Sequence, residues 1–373
     1  MHPSSNQPSS GRPGFHPGSN PGSAPSSDSV AERVGVRASR KRSFVLPVTV
    51  IVLLHVLGWG TLAFVVIPAG VDLGGGDGAA IVTLGVGLTA YALGLRHAFD
   101  ADHIAAIDNT TRRLAERGKP ADTVGLWFSL GHSTIVFVLC LLLTFGISAV
   151  GAALADDGST LHAWTSVFGP TISAVFLIAI AVINIRAVRA STRSKAGGGH
   201  DSLPGGPISR LLGGFERVVD RPGRMYGVGL LFGLGFDTAT EIGLLALAGS
   251  ATLAAVPWWA ALTLPVLFAA GMSTLDTAQG ALMRRAYTWE PERRSLGRLY
   301  GTVMTGLSVV AALLIAIVQL SAVANDSFGW GGPFGWVASI GIDDLGLVLT
   351  ALLLAAWAVV IVMTRGAQRR AAS

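Results

Sequence analysis

The segment Leu95-Arg96-His97-Ala98-Phe99-Asp100-Ala101-Asp102-His103-Ile104 places five ionisable side chains within eight residues of an otherwise apolar stretch. Two imidazoles and two carboxylates form a mixed nitrogen and oxygen donor set. Imidazole suits nickel, copper, zinc and iron, whereas an all-oxygen set would point to magnesium or calcium. Inside a bilayer each ionisable group costs roughly 2.5–3.5 kcal/mol on insertion scales, so these groups must face protein, water or an ion. On an ideal helix Arg96, Asp100 and His103 share one face, while His97 and Asp102 lie well off it. One straight helix therefore cannot aim all of them at a single ion. Either the helix is locally distorted, or some of these groups orient the ligands without binding. A purely structural alternative is a buried Arg96–Asp100 pair with packing histidines.

Three further segments carry groups of the same kind. The run Phe128-Ser129-Leu130-Gly131-His132-Ser133-Thr134 contributes His132. Asp237 and Glu241 stand one turn apart in Gly235-Phe236-Asp237-Thr238-Ala239-Thr240-Glu241. Asp276 lies in Gly271-Met272-Ser273-Thr274-Leu275-Asp276-Thr277. The Ser and Thr hydroxyls of these runs have a structural alternative, bonding back to a helix carbonyl or joining helices. His55 reads equally as a ligand or as a packing residue, Met1-His2 offers an amine and an imidazole on a disordered tail, and His16, His162 and His200 read as solvated.

The elements that must position these groups are membrane helices. The chain of 373 residues is 51% hydrophobic and 13% charged, against about 25% charged in soluble domains. Several apolar runs exceed the roughly 20 residues that cross a bilayer core of about 30 Å. The expected fold is all-α and polytopic. Eight spans are placed near residues 44–70, 79–108, 123–149, 166–186, 225–249, 258–283, 299–324 and 344–364. Residues 1–43, rich in Ser, Pro and Gly, read as a disordered tail. Residues 44–364 read as the transmembrane domain with a loop over 187–224, and 365–373 as a second tail. The single cysteine, Cys140, excludes a disulfide framework and a Cys-rich zinc site.

Charge gives the orientation. Of the 27 Lys and Arg, six precede the first span, four lie in 109–122, eight between Arg186 and Arg224, five in 284–298 and three at the C-terminus. Eight crossings put all of these on one side and leave the opposite loops with Asp72, Asp77, Asp156 and Asp157. The positive-inside rule then places both termini in the cytoplasm. This distribution explains the net charge of +5 without a nucleic-acid partner. His103, His132, Asp237 and Asp276 fall about 5, 9, 12 and 8 residues from the cytoplasmic ends of their spans. All four therefore sit in the inner half, roughly 7–18 Å deep.

An internal repeat is legible. Phe128-x-x-Gly131-x-Ser133-Thr134 has the spacing of Phe268-x-x-Gly271-x-Ser273-Thr274. Upstream, Phe99-Asp100 before His103-Ile104 echoes Phe236-Asp237 before Glu241-Ile242. Three spans separate the units, so helices 1–3 and 4–6 are expected to be inverted repeats, a plan common in secondary transporters.

At these motifs the sequence resembles the nickel/cobalt transporter family of bacterial and fungal permeases. The family's second-span pattern His-x4-Asp-His reads here as His97 to Asp102-His103, and the GHST, LGxDTATE and GMxxxDT motifs follow in order. The resemblance covers roughly residues 44–325. It implies eight helices, cytoplasmic termini, and Ni²⁺ or Co²⁺ as the transported substrate, with no resident cofactor and no enzymatic activity. It also assigns His97, Asp102 and His103 to metal binding. Where the family's sixth-span motif often continues with a carboxylate, this chain has Gln279.

The expected function is uptake of a divalent transition metal across the bacterial inner membrane. The chain has no G-x-x-x-x-G-K-[ST] loop, so it does not hydrolyse ATP in that manner, and no obligate ATPase subunit is expected. The membrane potential favours entry of a dication by about 4.6 kcal/mol per 100 mV. Efflux by the same scaffold, a binding subunit for a separate ATPase, and an intramembrane metal-dependent hydrolase are the alternatives.

Overall fold

The structure is a computed structural model. It describes residues 45–71, 73, 79–144, 159–195, 213–217, 219–234, 257–287, 294–340, 345–349, 351–352 and 355. Every regular element among them is helical. Helix α1 (Val45–Val66) closes in one π-helical turn, Leu62–Val66. Then come α2 (Ala79–His97), α3 (Ala101–Glu116), α4 (Val124–Thr144), α5 (Thr160–Lys195) and α6 (Met225–Phe232). Finally α7 (Thr263–Tyr287) and α8 (Arg294–Phe328) precede a short helix over Pro333–Ala338.

Five helices are long and apolar enough to cross a membrane: Val45–Val66, Val124–Leu143, Ser166–Ala187, Trp258–Arg285 and Val303–Phe328. They coincide with the expected first, third, fourth, sixth and seventh spans. Most of the expected fifth and eighth spans lies outside the described residues. The second span differs from the expectation of one helix over 79–108. It is broken. α2 ends at His97, Ala98 and Phe99 form a turn, and Asp100 adopts an extended backbone (φ −62°, ψ 137°) before α3 begins.

α3 also runs past the expected end, to Glu116, so much of the loop placed at 109–122 is helix. Its last turn carries Arg113, a cation that complements the negative C-terminal end of the helix. It stops at Gly118, whose φ of +66° suits a residue without Cβ. There Gly118 N–H bonds the Ala115 carbonyl (2.9 Å) and Lys119 N–H the Leu114 carbonyl (2.9 Å), capping the final turn.

α7 is the hub. Of its membrane-length window 72% is buried, against 11% for α1. It reaches this by glycine-mediated contact with helices on either side. A Cβ on Gly94 of α2 would lie 2.1 Å from the Phe268 carbonyl oxygen, and one on Gly271 would lie 2.5 Å from the Tyr91 carbonyl oxygen. Tyr91-x-x-Gly94 thus packs antiparallel on Phe268-x-x-Gly271. The same pattern recurs between α6 and α4. A Cβ on Gly229 would meet the Phe128 carbonyl at 2.0 Å, and one on Gly131 the Tyr226 carbonyl at 2.0 Å. Tyr226-x-x-Gly229 therefore packs on Phe128-x-x-Gly131 as Tyr91-x-x-Gly94 packs on Phe268-x-x-Gly271. Each half lends one such helix to the other, the exchange expected of two units related by a two-fold axis. Between them α4 and α7 meet through Ser129 and Ser273, whose hydroxyls are 3.0 Å apart.

Candidate metal centre

The break in the second span is what assembles the site. His97 ends α2, His103 sits in the first turn of α3, and His132 lies mid-way along α4. All three are buried, and one ligand nitrogen or more from each lies within 4.8 Å of the others. The Nε2 atoms of His97 and His132 are 2.9 Å apart. His97 Nδ1 lies 2.8 Å from Asp100 Oδ2, which fixes the ring with its other nitrogen turned toward His132. A continuous helix would have carried His97 and His103 to different faces. With the break, the end of one half-helix and the start of the next both point inward.

The fourth wall is α7. Asp276 is fully buried, and neither of its carboxylate oxygens has a hydrogen-bond partner among the described residues. Its Oδ2 is 4.0 Å from His103 Nδ1, which is likewise buried and without a hydrogen-bond partner among the described residues. Leaving such atoms unsatisfied costs about 1–3 kcal/mol each, more for a charged group, so the gap is suited to a cation. Aromatic rings enclose it. Phe128 stands edge-on to His103 with centroids 4.8 Å apart, and Phe268 lies 5.6 Å from His97. Such a shell lowers the local dielectric and strengthens attraction between carboxylate and ion.

Among the described residues, Asp102 and His55 are held by other partners. Asp102 is hydrogen-bonded at both carboxylate oxygens. Its Oδ1 accepts the His103 backbone N–H (2.9 Å), and its Oδ2 accepts from Ser173 Oγ (3.1 Å) and Gln319 Nε2 (3.3 Å). His55 is engaged at both ring nitrogens, with the Ile51 carbonyl at 2.8 Å and the Tyr91 hydroxyl at 3.2 Å, on the α1–α2 contact. Arg96 is exposed, whereas Asp100 is buried against His97. Asp237 and Glu241 lie outside the described residues. Gln279 donates to the Ile104 carbonyl (3.4 Å), a bond that a carboxylate could not make.

Reasoning from sequence missed a second polar constellation along α3. Asp108 accepts from Tyr287 (2.5 Å) and Ser308 (2.6 Å), and Asn184 donates to Asn109 (3.0 Å). The fully buried Arg112 bonds Glu116 (2.9 Å), Thr305 (3.1 Å) and Asn109 (3.3 Å). The partners outside α3 come from α5, α7 and α8. Asp108, Asn184, Thr305 and Ser308 stood out only as polar residues in apolar spans, while Asn109, Arg112, Glu116 and Tyr287 fell in expected loops.

Three imidazoles and a carboxylate form a set that suits nickel, cobalt or zinc. A match to the family of high-affinity nickel-transport proteins termed NicO spans residues 83–363. The chain belongs to the NicO family. It is 45% identical over 325 residues to the nickel transporter NicT of Mycobacterium tuberculosis, covering 84% of this chain and 86% of that protein. Against the nickel transporter NixA of Staphylococcus aureus the identity is 38% over 329 residues, with 83% and 90% covered. The cobalt transport protein NhlF of Rhodococcus rhodochrous is 36% identical over 336 residues, with 86% and 91% covered. No solved structure matches the chain. Membership in NicO, together with the apolar helices, makes this a multi-pass membrane transport protein.

Proposed function

We propose that this NicO-family chain takes up Ni²⁺, Co²⁺ or both across the bacterial inner membrane, with both termini in the cytoplasm, and holds the ion between His97, His103, His132 and Asp276. The observation that carries the reading is the buried gap between three imidazoles and a carboxylate with no hydrogen-bond partner among the described residues. The Nε2 atoms of His97 and His132, 2.9 Å apart, are close enough to bind one ion together. Asp100 serves to orient His97, and Asp102 braces the α3 end. Asp237 and Glu241 carry over from the LGxDTATE motif as further ligands on the ion's path.

Release follows from the architecture. A site built at the junction of two inverted halves changes its exposure when one half rocks against the other. The membrane potential suffices to drive entry, so neither ATP nor an ATPase subunit is required. Uptake of nickel, cobalt and zinc into proteoliposomes by the wild type and by His97→Ala, His103→Ala and His132→Ala tests this. Each variant should lose at least about 10-fold in uptake. Wild-type rates in all three would refute the assignment, and raised export from loaded vesicles would reverse the direction.

A further inference from the structure

Two acidic groups of the helices that carry the centre are treated in opposite ways. Asp276 has no hydrogen-bond donor among the described residues, whereas Asp102 is gripped on both oxygens by three donors. Two of these donors come from helices that carry none of the three imidazoles or Asp276, Ser173 on α5 and Gln319 on α8, each 2% exposed. Both interrupt apolar runs, Gln319 within Ala316-Ile317-Val318-Gln319-Leu320. Gln319 Oε1 has no partner among the described residues, so the amide is buried at a cost that a leucine would not incur. What offsets it is the bond to Asp102.

That bond has a structural consequence. Asp102 Oδ1 holds the His103 amide, so the carboxylate fixes the first turn of α3, the turn from which the His103 ring projects. Through the other oxygen the same carboxylate joins that turn to α5 and α8. We infer that Ser173 and Gln319 are positioning residues of the metal centre, acting through Asp102 to set the place of His103. They touch no ion themselves. They also tie the centre to α5 and α8, the two longest helices among those described. The inference rests on the proposed metal centre.

The test uses the purified full-length chain, with Co²⁺ as the probe and its visible ligand-field absorption as the readout, beside cobalt uptake in proteoliposomes. Ser173→Ala and Gln319→Leu should each weaken cobalt binding about 10-fold and alter the absorption bands, the usual size of effect for a group that orients a ligand. Ser173→Thr, which keeps the hydroxyl, should bind as the wild type, whereas Ser173→Val, of threonine's shape without the hydroxyl, should behave as alanine. In an Asp102→Asn background the same changes should add less than about 2-fold, because the residue they act through is already gone. Equal effects in both backgrounds, valine as good as threonine, or unchanged binding in the wild-type background would each overturn the inference. Should Asp102→Asn bind no cobalt, the threonine and valine comparison decides. His103→Ala and His132→Ala measured alongside separate the two readings. If they leave the spectrum unchanged, the metal centre itself is refuted; if they abolish it while Ser173→Ala and Gln319→Leu do nothing, only the positioning role fails.

Discussion

Asp276 Oδ2 and His103 Nδ1 face each other across 4.0 Å of buried space, and neither has a hydrogen-bond partner among the described residues. On the proposed reading, the arrangement costs the metal-free protein stability that a bound cation returns. Replacing Asp276 by Asn should therefore stabilise the metal-free chain, by about 1–3 kcal/mol. It should also remove most of the rise in melting temperature that saturating Co²⁺ gives the wild type, since that rise measures binding to the native state. Thermal melts in detergent with and without cobalt check both. A less stable metal-free variant, or an undiminished cobalt effect, would show that the carboxylate is structural.

The reciprocal glycine contacts make a second prediction. Gly94→Ala and Gly229→Ala would each drive a methyl to about 2.0–2.1 Å from a carbonyl oxygen of the facing helix. Backbone cannot yield as a flexible side chain does, so each should cost about 1–3 kcal/mol or more of overpacking. Equivalent positions in the two halves should respond alike. Gly85 of α2 and Gly227 of α6 serve as controls, because a methyl added at either would meet nothing within 4 Å. There alanine should be neutral or add roughly 0.5–1 kcal/mol through helix propensity. Melting temperatures and monodispersity of the four variants test the scheme.

These two cases show what could be read from the residues in order. Five spans follow from apolar length, and the Gly-x-Ser-Thr repeat pointed to the glycines of α4 and α7 that the structure finds pressed on backbone. Its partners Tyr91-x-x-Gly94 and Tyr226-x-x-Gly229 went unread, because four residues in an apolar run carry no periodic signal. The conflict between His97 and His103 on an ideal helix announced a distortion without locating it at 98–100. Nothing in the 299–324 span marked a role for it, since a single Gln in a long apolar run resembles incidental polarity. Only the fold brings Gln319 to Asp102 across more than 200 positions of sequence. Side chains joined by long-range contact leave no spacing to detect.

Lys119 and Arg117 meet Asp220 beyond the end of α3, while Arg113 pairs with Glu216. The hydrogen bond from Lys119 holds the Asp220 carboxyl below its usual range, with the Lys119, Arg117 and Arg224 charges acting the same way. A carboxyl depressed in the folded state stabilises above its unfolded pKa of about 3.9 and loses that contribution only as pH falls through the folded value. The latch should therefore hold unchanged from pH 8 to pH 5. Hydrogen exchange over residues 219–224 should stay constant in that window after correction for intrinsic rates. Asp220→Asn at pH 7 should raise it. Faster exchange already at pH 5.5 in the wild type would contradict the assignment.

Arg112 is the largest of the fully buried side chains among the described residues, and it carries a permanent charge. Its guanidinium spans three partners, Glu116, Thr305 and Asn109, and so pins α3 to α8. Lysine offers one point of charge in place of a planar fork and cannot reach all three. Arg112→Lys should therefore destabilise markedly, while Arg112→Met, which removes the charge as well as the bonds, should cost less than an unpaired cation would. Removing the partner instead is gentler. Glu116 is 45% exposed at its side chain, and Glu116→Gln keeps an oxygen that accepts from the buried guanidinium, so it should cost less than Arg112→Lys. Chemical or thermal unfolding of the three variants in one detergent gives the order. If Glu116→Gln proves as damaging as Arg112→Lys, the pair rather than the three-way fork holds α3 in place.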